Sequence, residues 1–269
     1  VTPVRDALGA AIDALAAAGI EQARLDAEVL LAEATGKDRA ALIANPEADL
    51  EPAAGRRFGE MVRRRLRREP VAYIVGRRGF RRLELAVDRR VLIPRPETEL
   101  LVELALERAP ATLLDVGTGS GAIALAVADE LADCEVVATD TSAEALEAAR
   151  ANARRLGLEH AVRFQAGTLP REEDFELILA NLPYVAERDW ASLQPEVSEW
   201  EPRQALLGGP DGLDPIRALI PRVEVGTLAL EVGEGQAAAV AELLDQSGFA
   251  AIETRVDLAG IERVVLGER

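Results

Sequence analysis

"LLDVGTGSGAIALAVA", residues 113–128, is a short apolar strand that runs into three alternate glycines and leaves as an apolar helix. Asp115 closes the strand, and Gly117, Gly119 and Gly121 open the turn, with Thr118 and Ser120 between them. Glycine lets the backbone reverse tightly and lets a ligand approach without meeting a Cβ. Nucleotide-binding folds of several kinds use such a loop, and a purely structural turn has little need of three glycines.

Outward from this stretch, strand and helix patterns alternate. "CEVVATD", "AVRFQAG", "FELILAN", "GTLALEVG", "FAAIETRVD" and "ERVVLGE" read as further strands. Short apolar strands separated by amphipathic helices indicate a mainly parallel sheet covered on both faces. Only "LAG" separates the last two, too little for a parallel crossover, so they should be antiparallel. The expected fold is α/β: a seven-stranded, mostly parallel, doubly wound sheet with one reversed strand near its edge.

The segment before it is different. Residues 1–68 read as short amphipathic helices, stopped at Gly19, Gly36, Pro46 and Pro70. Helices of this length cannot bury their faces singly and should pack as a small bundle. The expected divisions are a helical N-terminal domain over 1–70, a β-hairpin linker over 71–93 and a catalytic domain over 94–269.

The chain has 269 residues, 49% hydrophobic and 29% charged, as in ordinary soluble globular proteins. No apolar run reaches the ~18 residues that span a bilayer, and the first residues lack the layout of a secretion signal. No membrane association and a cytoplasmic location are expected. The single cysteine, Cys134, excludes an internal disulfide or a multi-thiolate metal site, and the single histidine, His160, lies at a helix-to-strand connection. Chemistry without metal or imidazole is expected.

A net charge of −16 argues against a broad grip on nucleic acid. Between Arg56 and Arg90, however, thirteen arginines face four acids, so this segment carries about +9. It reads either as a solvated helix face followed by a hairpin or as a docking surface for an acidic or RNA-associated partner.

The second strand ends in Asp140, where a carboxylate accepts hydrogen bonds from both hydroxyls of a ribose; the plainer alternative is a helix cap, which Ser142 supplies equally well. The loop spacing is G-x-G-x-G rather than the G-x-G-x-x-G of dinucleotide enzymes. Asp115 adds negative charge where a cationic ligand is welcome. Both features favour S-adenosylmethionine, which carries an ammonium and a sulfonium and no phosphate, over a nicotinamide dinucleotide. The fourth strand ends in Asn181-Leu182-Pro183-Tyr184. The Asn181 side-chain oxygen and the Leu182 carbonyl can accept both hydrogens of a planar NH2 group, Pro183 stiffens the turn, and Tyr184 offers a ring for stacking.

Taken with "LIPRPETELLVE", "ATDTSAEALEAARANA", "EPRQALLGGPDGLD", "LALEVGEGQ" and "DLAGIERVVLGE", these motifs resemble, in order and over nearly the whole chain, the N5-glutamine methyltransferases that modify peptide chain release factors. These belong to the class I S-adenosylmethionine-dependent methyltransferases. The resemblance implies methyl transfer to the glutamine of the Gly-Gly-Gln loop of a release factor, an N-terminal recognition domain and a monomeric enzyme. It implies S-adenosylmethionine contacts from Asp115, Gly117, Thr118, Gly119, Ser120, Gly121, Asp140, Thr168 and Asn181. It also implies a catalytic role for Asn181, Leu182, Pro183 and Tyr184. The family's tetrad is Asn-Pro-Pro-Tyr; Leu182 keeps the main-chain carbonyl and loses some stiffness. Relatives often place an acid or Trp near Thr168 or Leu169 to hold the adenine, so here that contact is apolar or from the backbone.

An amide nitrogen is a poor nucleophile and no general base is evident, so direct displacement with a positioned NH2 is the expected route. Such positioning is worth ~7–11 kcal/mol. Glutamine methylation of a ribosomal protein and N6-adenine methylation of nucleic acid are the nearest rivals. A non-catalytic adaptor and a nicotinamide oxidoreductase are the more distant ones.

Overall fold

The computed structural model describes residues 2–170 and 174–269. Its contacts divide the chain into two units, one of residues up to Gly76 together with Pro195–Trp200, the other of Arg77–Gln194 and Glu201–Arg269.

In the first unit, strand β1 (Thr2–Pro3) leads into helices α1 (Val4–Ala17), α2 (Ala23–Thr35) and α3 (Arg39–Ala44), then strand β2 (Asp49–Leu50) and helices α4 (Pro52–Leu66) and α5 (Val71–Val75). Helix α2 buries Ala23, Ala27, Leu30, Leu31 and Ala34, the three-and-four spacing of one helix face, and stops where Gly36 turns left-handed. Two features depart from the sequence reading. The segment expected to be helical throughout contains a two-residue antiparallel pairing of Thr2 with Leu50 and Pro3 with Asp49, too short to leave a period. Val71–Val75, read as the start of the hairpin linker, is a helical turn closed by Gly76 at φ 77°. Arg64 explains it: the guanidinium donates to the carbonyls of Tyr73 and Ile74, both at 3.3 Å, serving the helix end that a strand would not have.

Arg65, only 6% exposed, lies on the buried face of α4 because acids meet it there. It pairs with Asp26 and with Glu196 of helix α9 (Pro195–Ser198), each at 2.7 Å, and Arg68 joins Glu196 at 2.9 Å. Much of the arginine-rich segment is thus neutralised within its own unit. Arg64 pairs with Glu69, Arg77 with Glu84, Arg81 with Glu103 and Glu130, and Arg90 with Asp88.

The second unit opens with an antiparallel hairpin of β3 (Arg77–Phe80) and β4 (Leu83–Ala86), shorter than the 71–93 expected. Helix α6 (Glu99–Arg108) follows a 3-10 turn over Pro96–Thr98. The chain then alternates β5 (Thr112–Val116), α7 (Ala122–Glu130), β6 (Glu135–Asp140), α8 (Ala143–Leu156), β7 (Val162–Ala166) and β8 (Leu177–Ala180). After an excursion it adds α10 (Asp214–Leu219), β9 (Thr227–Glu231), α11 (Ala237–Gln246), β10 (Ala250–Val256) and β11 (Glu262–Glu268).

The seven strands from β5 onward form one sheet in the order β10-β11-β9-β8-β5-β6-β7. β5 through β9 run parallel, and β11 lies antiparallel to both β9 and β10. The reversed strand stands next to the edge, and the five-residue connection 257–261 is short enough to require its antiparallel pairing with β10. The central strands are buried at nearly every position because helices cover both faces. One cluster packs Leu113, Val136 and Leu179 against α6, α7 and the hairpin residues Phe80 and Leu85; the other packs Leu114, Ile178 and Leu228 against α10 and α11. The connection after β5 goes to one side and that after β8 to the other, so a crevice opens at their carboxyl ends. Among the described residues no helix is long and apolar enough to cross a membrane, and no group of acids, histidine and cysteine is set to hold a metal ion. His160 is exposed in a turn and Cys134 is buried and free.

Candidate active site

Strand register builds the site. Val116 pairs with Ala180 and Ala180 with Leu230, so the residues that follow lie level across three strands: Gly117 after β5, Asn181 after β8, and Glu231 at the end of β9. A Cβ on Gly117 would lie 3.3 Å from Leu182 Cδ2 and 3.7 Å from the Asn181 carbonyl oxygen, and its φ of 78° suits glycine. The loop and the tetrad therefore pack backbone to backbone.

A cavity is lined here by Gly117, Gly119, Asp140, Thr168, Asn181, Leu182 and Pro183, joined by Arg90–Leu92, Val116, Thr141, Ser142, Ala145 and Gly167 and by Pro202, Gln204 and Ala205 of the excursion. Seven predicted residues thus meet on one wall. Gly121, Thr118, Ser120, Asp115 and Tyr184 do not line it. Gly121 turns the chain into α7 at φ 85°, where a Cβ would lie 2.8 Å from Leu125 Cδ1.

Asp140 accepts from the Gly119 amide at 2.9 Å through Oδ2 and from the Ser142 amide at 2.8 Å through Oδ1. One bond per oxygen leaves lone pairs on the carboxylate for further donors. Helix α8 is capped by Ser142, whose Oγ accepts from the Ala145 amide at 3.2 Å, so Asp140 is spared that task. Thr168 is fixed by its carbonyl, which accepts from the Thr139 hydroxyl at 2.7 Å.

Asp115 differs from the expectation of a charge presented to the ligand. It is fully buried beneath the loop, where Oδ2 accepts from the Thr118 hydroxyl at 2.6 Å and the Ala124 amide at 3.2 Å. Its Oδ1 has no partner. Burial, aided slightly by Asp140, pushes the carboxyl from 3.8 up to about 7. Folded chains therefore keep a proton between pH ~4 and 7 that unfolded chains have lost, and this group withdraws stability as pH rises through that window. Asp115→Asn should melt at least ~2 °C above the parent at pH 8, the shift of roughly 1 kcal/mol for a chain of this size. The difference should shrink as pH falls and vanish only below pH ~4, where folded and unfolded chains alike hold the proton, which thermal scans at pH 8, 6 and 4 check.

The tetrad is held from behind. Gln236 donates Nε2–H to the Tyr184 carbonyl at 2.9 Å and accepts from the Gly233 amide at 2.8 Å. The excursion returns alongside: the Val185 amide donates to Leu206, and the Gly208 amide donates to Val185, both at 2.9 Å. A Cβ on Gly208 would lie 2.6 Å from the Pro183 carbonyl oxygen, and one on Gly212 would collide with that of Tyr184. The glycines of "GGPDGLD" are there so that two backbones can touch.

Four further residues complete the arrangement, none singled out in the sequence. Asn181 donates Nδ2–H to the Thr98 hydroxyl at 3.1 Å, and Glu231, 2% exposed, ends β9 level with Asn181. Arg95 pairs with buried Glu201, whose other oxygen accepts from the Ile93 amide at 3.0 Å. No described residue donates a hydrogen bond to Asn181 Oδ1 or to the Leu182 carbonyl. Two acceptors on a cavity wall are thus left for a ligand. Burial near Glu231 pushes the Tyr184 hydroxyl up to about 12, so it stays protonated.

A sheet of this order, with a glycine loop, a strand-end acid and a polar tetrad meeting at its switch point, defines a methyltransferase of the doubly wound class. A methyltransferase from Pyrococcus furiosus shares the fold at a TM-score of 0.53 and 18% identity, over 69% of this chain and 88% of its own. The family model of the PrmC N-terminal domain matches residues 6–76, and that of the methyltransferase small domain matches 96–194. A release factor glutamine methyltransferase of Geobacter sulfurreducens is 43% identical, covering 94% of this chain and 92% of that protein. One of Xylella fastidiosa (strain Temecula1) is 44% identical, covering 94% and 96%. The chain belongs to the release factor glutamine methyltransferase family.

Proposed function

We propose that the protein transfers a methyl group from S-adenosylmethionine to the side-chain amide nitrogen of the glutamine in the Gly-Gly-Gln loop of peptide chain release factors, in the cytoplasm where translation proceeds. The observation that carries this reading is the pair of unused acceptors, Asn181 Oδ1 and the Leu182 carbonyl, on the wall shared with the glycine loop.

The residues present fit the donor. Gly117 and Gly119 offer bare backbone, Asp140 keeps lone pairs for two ribose hydroxyls, and Thr168 and Gly167 supply backbone beside them. When bound, S-adenosylmethionine supplies an electrophilic methyl on a sulfonium. Asn181 and Leu182 accept the two N–H groups of the glutamine amide and aim its nitrogen along the crevice. The same two oxygens would stabilise the positive charge that grows on nitrogen as the methyl passes to it from sulfur, the methyl–sulfur bond breaking and its electron pair staying on sulfur as a neutral thioether. The amide proton then leaves to water. Pro183 and the Gln236 bond hold the turn. The helical N-terminal unit is assigned to recognition of the release factor, and the enzyme is assigned as a monomer.

Asp140→Ala should weaken S-adenosylmethionine binding at least ~10-fold, the loss of hydrogen bonds to a charged acceptor, as measured by calorimetry. Unchanged affinity would remove Asp140 from the donor site. With labelled donor and separate pools of release factor, ribosomal protein and DNA, label should enter the release factor alone. Incorporation into either other pool instead would reassign the substrate.

A further inference from the structure

Two stretches outside the sheet and the α-helices complete the cavity wall. Arg90, Val91 and Leu92 form one strip, and Pro202, Gln204 and Ala205 of the excursion form the other. We propose that Glu201 is a positioning residue that clasps these two strips together and so sets how tightly the cavity retains its methyl donor.

The sequence calls for a side chain to make this link. The first strip continues as Ile93-Pro94-Arg95-Pro96, and the second is entered through Glu201-Pro202. Proline has no N–H, so three positions in these stretches offer no donor to a backbone ladder. Glu201 joins them instead. One carboxylate oxygen accepts from the Ile93 amide at 3.0 Å, and the other accepts from the Arg95 guanidinium. The Glu201 side chain is 1% exposed and Ile93 is buried, so both bonds form where water competes little.

The far ends of the two strips are fixed by other bonds. Beyond the first, Ala86 of β4 exchanges two hydrogen bonds with Asn152 of α8, at 2.8 and 3.0 Å. Asn152, fully buried, also donates to the Ser120 carbonyl of the glycine loop at 2.9 Å. Beyond the second, the carbonyl of Leu206 accepts from Val185, the residue after the tetrad. Glycine loop, Asn152, first strip, Glu201, second strip and tetrad thus make one circuit around the cavity. Opening it at Glu201 frees the adjoining ends of both strips and leaves Asp140 and Asn181 on their strands.

The inference rests on the donor site of the proposed function, and calorimetry of S-adenosylmethionine binding tests it without a substrate. Glu201→Gln keeps the shape and an acceptor for Ile93 but turns an NH2 toward the Arg95 guanidinium. Arg95→Met, at a partly exposed side chain, breaks the same pair and decides alone where Glu201→Gln does not fold. Each should raise the donor Kd about ten-fold, the loss of a hydrogen bond between charged groups. The double variant should add less than about two-fold to either, as changes to one shared contact do. With a release factor as substrate, the loss should fall on the KM for the donor, and kcat at saturating donor should change less. Donor affinity within about two-fold of the parent in the single variants, additive losses in the double variant, or a loss confined to kcat overturns the clasp while the function stands. A parent chain that binds donor and never methylates a release factor overturns the proposed substrate, and the calorimetric comparison still decides the clasp. A parent chain that binds no donor overturns both.

Discussion

Asn181→Ala is expected to lower methylation of a release factor by ~10²-fold or more, the range for losing one preorganised hydrogen-bonding group. Donor binding should change far less. Asn181 spends its NH2 on Thr98 at 3.1 Å, and its free oxygen is the acceptor removed. The Leu182 carbonyl survives the substitution, so the substrate amide keeps one of its two anchors and swings about it. Steady-state kinetics with calorimetry on the same preparation check the pair of outcomes. Near-normal turnover would mean that the Asn181 oxygen does not hold the substrate.

Gly212→Ala should be nearly as severe, although Gly212 is absent from the cavity wall. Its φ is 85°, a conformation that side chains rarely adopt, and a Cβ there would collide with the Tyr184 carbonyl and lie 2.7 Å from Gln236 Nε2. Both are backing for the tetrad, so the turn must move. A displacement near 1 Å costs roughly 10²-fold in rate. Gly235→Ala is the matched comparison: its φ is 80°, yet a Cβ there meets nothing within 4 Å. Both variants carry backbone strain, and only Gly212→Ala presses on Tyr184. Kinetics of the two, side by side, separate strain from displacement; equal losses would show that the glycine contact does not matter to the site.

Much of this was legible in the residues because it is local. Alternating strands and helices, the glycines after Asp115, the acid ending "VVATD" and the polar turn ending "FELILAN" each declare themselves within a dozen positions. The reversal of β11 followed from the short stretch around "LAG" between the last two strands. What escaped depends on register or on distant partners. Thr98 and Glu231 look like a helix-start threonine and a strand-end acid; the alignment of β8 with β9 brings Glu231 level with Asn181, and the Asn181 side chain reaches Thr98 from across the chain. Val71–Val75 carries strand-forming residues, but Arg64 from the preceding helix satisfies the carbonyls of a helical turn. Asp115 reads as a ligand-facing acid by position, while Thr118 and Ala124 draw it beneath the loop. The glycines of "GGPDGLD" resemble a flexible loop until the Pro183 and Tyr184 carbonyls are seen against them.

The most direct measurement is tandem mass spectrometry of a release factor after incubation with the protein and S-adenosylmethionine. A gain of one methyl group, placed by fragmentation on the side-chain nitrogen of the Gly-Gly-Gln glutamine, is the predicted result. An unmodified glutamine, or a methyl group found on a different residue, would contradict it.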